Sequence, residues 1–230
     1  MKTFDFAHLK QIVLPACFAI ACCLFSTPAS AGTIIGYNAP PSPGLGFAIV
    51  PSIITPNAGN DNQTGLPGPA AADGNQVIVA KRFDNTGYID IEFFVTNSTP
   101  GGVTEYKFFE VVDNNTFIDW NSYLIVLGTG VGTNFQVSLP GDGLDFDDPT
   151  FDLPPTSSAF GFVVPGEDIL TFFTGLHSTG SEIYEFRVDV PDGIQSFTLR
   201  QYPIPVPEPG TLALAASALV GFAAMRRRRS

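Results

Sequence analysis

The chain has 230 residues with 23 Gly, 20 Pro and 21 Phe, which indicates one domain with many turns rather than long helices. Of its 22 acidic residues 20 lie between Gly32 and Pro205, but only five of its 11 basic residues do, so this region has a net charge of about −15. A surface this acidic repels phosphates, which argues against DNA or RNA as a partner.

Residues 1–31 have the three-part order of a secretory signal. Two lysines precede an apolar run from Ile12 to Phe25, and small residues that include Ala29 and Ala31 follow it. A core helix would show polar residues at helical spacing, and this run has almost none. We therefore predict an N-terminal signal helix that passes through the translocon and is removed by signal peptidase between Ala31 and Gly32.

The region from Gly32 to Pro205 is predicted to be one extracellular domain of β-strands. In Tyr88–Asn97, apolar residues at every second position give the period of a half-buried strand. Turn sequences such as Asp192-Gly193 separate the runs. The other predicted strands are Gly46–Ile54, Gln76–Phe83, Val103–Val112, Ser122–Leu127, Asn134–Leu139, Ala159–Val164, Ile169–Thr174, Ile183–Val190 and Ile194–Arg200. We predict an all-β fold, a single antiparallel β-sandwich or jelly roll of about nine or ten strands, flanked by the signal helix and a C-terminal membrane helix.

Two segments of this domain lack the strand pattern. Residues 57–68 contain almost no hydrophobic anchor, and we predict a long surface loop there. Residues 128–133 read Gly-Thr-Gly-Val-Gly-Thr, which is similar to a phosphate-binding loop, but the segment has no lysine and no helix follows it. We therefore predict a hairpin connection between two strands.

The segment Asn114–Tyr123 places the single tryptophan and a tyrosine among polar amides. Flat apolar rings beside hydrogen-bonding groups are typical of sugar-binding sites, so Trp120 and Tyr123 are candidate ligand-binding residues. The alternative is that Trp120 is a core residue at the start of a strand. Exposure of the rings distinguishes these two interpretations.

Four aspartates, Asp142, Asp145, Asp147 and Asp148, lie close together in a turn-rich segment. A hard cation would offset their mutual repulsion, and calcium accepts carboxylate oxygens in irregular loops. The spacing of the four residues is not that of an EF-hand. We predict a calcium site at these residues, with a solvated acidic loop as the alternative.

Catalytic candidates are few in the predicted mature chain. All three cysteines lie within the signal, which leaves no thiol nucleophile and no disulfide. His177 is the one histidine that remains, so a zinc site with several histidines is excluded. It lies in Gly175–Gly180, where we predict a solvated turn. We expect that the protein is not an enzyme, and a carboxylate pair acting on a glycan is the alternative that the sequence leaves open.

The segment Val206–Ser230 has three elements in a fixed order. They are Val206-Pro207-Glu208-Pro209, an apolar segment from Gly210 to Met225, and the cluster Arg226, Arg227, Arg228 and Arg229. The arginines are expected to stay on the cytoplasmic side. A helix of about 16 residues spans about 24 Å, less than the roughly 30 Å hydrocarbon core, so the predicted membrane anchor is marginal.

These three elements resemble the PEP-CTERM sorting signal, the substrate tail of the membrane enzymes called exosortases. The export signal at the other end of the chain supports the resemblance. It implies a Gram-negative bacterium, recognition of the tail by an exosortase in the inner membrane, and cleavage near Pro207–Pro209. The protein is then expected at the cell surface or in the extracellular matrix.

Proteins with this signal are linked with exopolysaccharide, so the resemblance implies a structural or adhesive protein of a biofilm matrix. The alternative is a carbohydrate-binding module for matrix polysaccharide, and a glycan-active enzyme is less favoured. The expected partners are the translocon, signal peptidase, the exosortase and exopolysaccharide, without nucleic acid. Apart from the predicted calcium, no cofactor is expected.

Overall fold

The computed structural model describes residues 32–56, 58–59, 74–96, 102–147 and 154–207, together with residues 210 and 217. The predicted signal helix and membrane helix lie outside these residues, apart from two isolated positions, and so does most of the predicted loop over residues 57–68. Within the described ranges, no helix has both the length and the apolar character needed to cross a membrane.

The described residues form twelve β-strands and a short 3-10 helix at Gly132–Asn134. The strands are β1 (Thr33–Asn38), β2 (Leu45–Ile54), β3 (Gln76–Phe83), β4 (Ile89–Thr96), β5 (Val103–Asn114), β6 (Trp120–Thr129), β7 (Gln136–Val137), β8 (Thr156–Ser157), β9 (Phe160–Pro165), β10 (Ile169–His177), β11 (Gly180–Pro191) and β12 (Ser196–Pro205). The predicted all-β fold class is confirmed.

The strands form two sheets that pack face to face as a β-sandwich. The larger sheet has the order β1-β4-β12-β6-β10-β9, with β7 paired to the end of β6. The smaller sheet has the order β2-β3-β5-β11-β8. Alternate side chains of each strand face the opposite sheet, as in β3, where every second residue from Val77 to Phe83 is buried. The two inner faces therefore meet in one core.

The sequence predicted an antiparallel sandwich, but one pair of neighbouring strands is parallel. β3 and β5 pair in parallel, with Gln76 opposite Lys107 and Phe83 opposite Asn114. The intervening strand β4 lies in the larger sheet, so the chain crosses the sandwich twice and returns in its original direction. Hydrophobic periodicity reports which face a residue takes and not the direction of the neighbouring strand, so it could not reveal this pair.

Strand boundaries agree best where the alternation is regular. β3 begins and ends at the predicted residues, whereas β1 and the two-residue β8 were not predicted. β1 shifts register against β4 between Ile34 and Gly36, which interrupts its alternation. β10 was predicted to end at Thr174 but continues to His177. The φ of Thr174 is 61°, and the register of β10 against β6 shifts between Phe173 and His177.

The core contains two groups of aromatic rings. In the first, Phe93 stacks on Phe197 at 5.2 Å and Phe108 stacks on Phe186 at 5.3 Å between ring centroids. The second group surrounds Trp120 near the end of the sandwich where β6 begins. Each buried large apolar side chain contributes about 1.5–3 kcal/mol, so this core is the main source of stability.

Residues 139–147 close one side of the sandwich. Asp145 forms an isolated antiparallel bridge with Asp189 of β11, whose N–H donates to the Asp145 carbonyl oxygen at 2.9 Å. The N–H of Phe146 donates to the carbonyl oxygen of Glu167, between β9 and β10, at 2.7 Å. This acidic segment therefore joins an edge of the smaller sheet to the larger sheet.

Candidate functional site

The sorting tail leaves the domain at the end of β12. Pro205, the last residue of β12, lies opposite Trp120 of β6. The N–H of Val206 donates to the carbonyl oxygen of Asp119 at 2.8 Å, which fixes the first residue of the tail to the domain. Pro207 is also described. The other predicted sorting residues lie outside the described residues: Glu208, Pro209, Arg226, Arg227, Arg228 and Arg229. The predicted signal-cleavage residues Ala29 and Ala31 also lie outside them, whereas Gly32 is described.

Trp120 and Tyr123, the predicted sugar-binding residues, are fully buried. The indole packs edge-on against Phe83 at 5.2 Å and against His177 at 4.5 Å, and it stacks on Tyr123 at 5.9 Å. Its N–H donates to Thr116 Oγ1 at 3.2 Å. Neither ring offers a face to a sugar, so their position corrects the expectation of a stacking platform and supports the alternative, a core tryptophan.

The polar residues of the same segment hold the loop between β5 and β6. Asn114 is buried, and its Nδ2 donates to the carbonyl oxygens of Ile118 at 2.9 Å and His177 at 3.0 Å. Its Oδ1 accepts from the N–H of Thr116 at 3.0 Å. The exposed ring of this loop is Phe117, which has a φ of 61° and is 80% exposed. The Asn114 amide is thus used within the protein.

His177 is buried at the end of β10 instead of lying in a solvated turn. Its Nε2–H donates to the carbonyl oxygen of Gly180 at 3.1 Å, so Nδ1 accepts from the Tyr184 hydroxyl at 2.9 Å. Burial lowers the pKa of His177, which favours the uncharged ring. Because core partners occupy both nitrogens, the imidazole is not placed to activate a serine. The flanking glycines gave this segment the composition of a turn, although β10 continues into it as far as His177 and β11 begins at Gly180.

The glycine-rich segment over residues 128–133 contributes to the predicted hairpin, which is confirmed by the antiparallel pairing of β6 and β7. It closes over an ion pair, in which Arg200 Nε and Nη2 each donate to an oxygen of Asp90 at 2.6 Å. The N–H of Gly132 donates to Asp90 Oδ2 at 2.7 Å, and its carbonyl oxygen accepts from Arg200 Nη2 at 2.6 Å. The loop therefore binds two side chains of the domain.

Of the predicted calcium ligands the structure describes Asp142, Asp145 and Asp147, and these three are not arranged as a metal-binding group. Oδ2 of Asp142 accepts from the N–H of Leu139, and Oδ1 accepts from the N–H of Leu144, each at 3.0 Å. Asp147 is half-buried, and Asp148 lies outside the described residues. In the part of the chain that the structure describes, no group of three or more Asp, Glu, His or Cys side chains is arranged to hold a metal ion. Calcium binding stays a prediction, and Asp142 orders its own turn.

Asp145 is the carboxyl group most affected by the acidic segment. Partial burial, followed by the negative charge of Glu167, raises the pKa of Asp145 to about 6, and Asp168 and Asp142 add to the effect. A hydrogen bond with the side chain of Asp189 acts in the opposite direction. Burial also raises the pKa of Asp168, whose Oδ1 is buried without a hydrogen-bond partner in the described residues. This end of the sandwich therefore takes up protons more readily than ordinary carboxylates do.

Each of the five basic residues of the domain pairs with a carboxylate. The pairs are Lys81–Glu110, Arg82–Asp84, Lys107–Glu185, Arg187–Glu105 and Arg200–Asp90. A cavity of about 270 Å³ on the smaller sheet is lined by Lys107, Pro154, Thr156, Glu185, Phe186 and Arg187. Both cations of the cavity are paired, and its volume is below the roughly 300–1,000 Å³ of typical ligand pockets. The cavity is therefore a poor site for an anionic ligand.

A polar cluster that was not predicted from the sequence lies inside the core. Its members are Lys81 of β3, Glu110 of β5, Tyr123 of β6 and Gln201 of β12, all fully buried. Lys81 Nζ pairs with Glu110 Oε2, and Gln201 Nε2 donates to Glu110 Oε1 at 2.9 Å. The Tyr123 hydroxyl donates to Gln201 Oε1. We call these four residues the Lys81 cluster, and it connects the two sheets.

The sequence did contain a signal for the Lys81 cluster. Lys81 stands between Val79 and Phe83 at an inward position of β3, and Glu110 and Gln201 interrupt the apolar faces of their strands in the same way. A charged residue at such a position must be paired or neutral. Burial lowers the pKa of Lys81 to about 8, although the nearby Glu110 opposes this shift.

The described strands end where the sorting tail begins. The tail that follows them indicates the class of the protein, which is an exported protein sorted to the cell surface through the membrane. Residues 205–229 match the PEP-CTERM protein-sorting motif, which confirms the resemblance and supports processing of this chain as an exosortase substrate. No match was found among curated proteins or among solved structures.

Proposed function

We propose that the chain is a structural or adhesive protein of an extracellular exopolysaccharide matrix. The observation that carries this proposal is the sorting motif, which begins at Pro205, the last residue of β12. With Val206 bonded to Asp119, only a few residues separate the sandwich from the apolar segment. The tail would hold the folded domain close to the membrane until the exosortase acts.

The charge distribution supports a role in a hydrated matrix. All five basic residues of the domain are paired, and its 20 acidic residues far outnumber them, so the domain has a large excess of negative charge. Such a surface repels nucleic acid and anionic lipid and is compatible with neutral polysaccharide and with cations. We propose a role without substrate turnover, since His177 is engaged in the core and the cavity cations are paired.

The proposed route starts with the N-terminal signal, the translocon and signal peptidase of a Gram-negative bacterium. The tail is then held in the inner membrane, with Arg226 to Arg229 on the cytoplasmic side. The exosortase cuts near Pro207–Pro209 and passes the domain to the cell surface or matrix.

The experiment follows an epitope-tagged full chain in an exosortase-bearing host. We expect a membrane-bound precursor, then a shorter product at the surface that sediments with purified exopolysaccharide. Deletion of Val206–Ser230 should send the domain into the medium without a processing intermediate. Deletion of the exosortase from the host should leave the precursor in the membrane.

Two results would contradict separate parts of the proposal. Cytoplasmic residence of the full chain would rule out the export route. Correct processing without sedimentation on exopolysaccharide would leave the route intact and rule out the matrix role. The matched control is the Phe162→Ser variant, which changes an exposed ring on β9 far in sequence from the tail and should be processed normally.

A further inference from the structure

The Lys81 cluster brings an amine and a carboxamide to one carboxylate. Lys81 Nζ contacts Glu110 Oε2, and Gln201 Nε2 donates to Glu110 Oε1 at 2.9 Å. The amine and the amide thus lie on the two oxygens of a single side chain. The third polar contact is the Tyr123 hydroxyl, which donates to Gln201 Oε1 and polarises the amide carbonyl.

We propose that the mature domain forms an intramolecular amide cross-link between Lys81 Nζ and the side-chain carbonyl carbon of Gln201, with Glu110 as the catalytic residue. The role is independent of the sorting route. It is a single reaction within one chain, so it requires no bound substrate and no cofactor.

The reaction is a transamidation in which atoms and charge balance. Glu110 accepts a proton from Lys81, and the neutral amine attacks the Gln201 carbonyl carbon. Tyr123 stabilises the oxyanion of the tetrahedral intermediate by its hydrogen bond to the same oxygen. Glu110 returns a proton to the departing nitrogen, the carbon–nitrogen bond of the amide breaks, and ammonia leaves. Glu110, again a carboxylate, then accepts the second proton from the attacking nitrogen, which completes the new neutral amide, and passes this proton to the departing ammonia, which leaves as ammonium. No oxidant or reductant is involved.

The surroundings of the cluster favour this reaction over hydrolysis. All four side chains are fully buried, so water does not compete readily with the amine. Each residue is on a strand in the middle of a sheet, which holds the groups in place before the reaction. Burial also lowers the pKa of Lys81 to about 8, so a neutral amine is accessible near physiological pH.

The cross-link would join the two layers of the sandwich. Lys81 belongs to β3 of the smaller sheet and Gln201 to β12 of the larger sheet, and they are 120 positions apart in the chain. Since β12 leads directly into the sorting tail, the bond would connect the tail-bearing strand to the opposite layer.

The test is mass spectrometry on the purified wild-type full chain. A protease that cuts after glutamate keeps Gln201 inside a peptide, so cyclisation of an N-terminal glutamine cannot mimic the loss of ammonia. We expect one linked peptide that contains Lys81 and Gln201 and is lighter than the sum of its parts by one ammonia. Recovery of the two peptides unlinked would overturn the proposal, and so would Gln201 converted to glutamate with Lys81 free.

Variants separate the chemistry from the packing. Glu110→Gln should leave Lys81 and Gln201 unlinked, and Tyr123→Phe should form the bond more slowly in a time course after synthesis. The control Lys107→Met removes a lysine of the neighbouring strand β5, which is paired at 2.6 Å with Glu185, and should keep the link. A fully linked Glu110→Gln variant would contradict the catalytic role. If that variant does not fold, the measurement on the wild-type chain still decides.

Discussion

The guanidinium of Arg200 lies between two aromatic rings, 4.1 Å from the centroid of Tyr88 and 4.0 Å from that of Phe135. Its edge donates to both oxygens of Asp90, which is fully buried. A planar fork that also stacks on rings is a property of arginine that lysine lacks. Arg200 therefore holds the glycine-rich hairpin against the domain by stacking on aromatic rings as well as by its ion pair with Asp90.

We expect Arg200→Lys to lower the free energy of unfolding by about 2 kcal/mol, because the bidentate pair and both ring contacts are lost. Arg200→Met should cost about 3–5 kcal/mol, since it leaves the Asp90 carboxylate buried without a partner. Urea denaturation measures both. The control is Arg82→Lys in the exposed pair with Asp84, where a much smaller change is expected. An Arg200→Lys variant as stable as the wild type would contradict this account.

Trp120 gives a second prediction at the scale of one residue. Trp120→Ala should lower the free energy of unfolding by about 3–5 kcal/mol, because it leaves a cavity among Phe83, Tyr123 and His177. The folded fraction should retain exopolysaccharide as the wild type does. Phe117→Ala, at the exposed ring of the same loop, should change stability by less than about 0.5 kcal/mol. A stable Trp120→Ala variant with weakened glycan retention would instead restore the sugar-binding interpretation.

At the scale of one element, residues 139–147 connect the two sheets and carry like charges. Asp145 has a pKa of about 6 in the folded protein, against 3.8 for an ordinary aspartate. Between these two values the folded state binds more protons than the unfolded state. Stability from this residue is therefore gained as the pH falls from 7 to about 4 and is lost as the pH rises through 6.

We therefore expect Asp145→Asn to stabilise the domain at pH 7 by on the order of 1 kcal/mol, a figure reduced for partial solvent screening, and to have little effect at pH 4. Thermal melts of the variant and the wild type at both pH values provide the measurement. The control is Glu92→Gln, which removes one negative charge outside the segment and so measures the effect of net charge alone on stability. A gain of equal size at both pH values would contradict the assignment. A rise in midpoint with calcium at pH 7 that Asp145→Asn abolishes would support the calcium site.

The elements also show which structural features can be predicted from a sequence pattern. β3 was predicted to the residue because its alternation is unbroken, whereas β1 was missed because a register shift between Ile34 and Gly36 interrupts its pattern. The sorting tail was found from the order of its elements alone, since a linear signal does not depend on folding. The Lys81 cluster depends on four strands meeting in space, and Gln201 is far from Lys81 in the chain. Periodicity could place each residue inward but could not bring them together.

At the scale of the whole molecule, the charges divide between the interior and the surface. Lys81, Arg187 and Arg200 are buried with their carboxylate partners, so these cations contribute to the fold and not to the surface. The exterior is left with a strong excess of negative charge. Repulsion between copies opposes their association with one another, and added salt should weaken that repulsion.

The attachment of the tail to β12 also determines how the domain bears mechanical load. β12 is an inner strand, paired with β4 on one side and β6 on the other. A pull on Val206 along the strand loads the hydrogen bonds of both ladders across their length, because those bonds lie perpendicular to the strand. These hydrogen bonds must therefore break together. If the pull acted on an edge strand at right angles to its length, the bonds would instead break one after another. A force from flow or traction at the cell surface that acts through the tail would therefore pull along β12, the direction in which the two hydrogen-bond ladders resist it most.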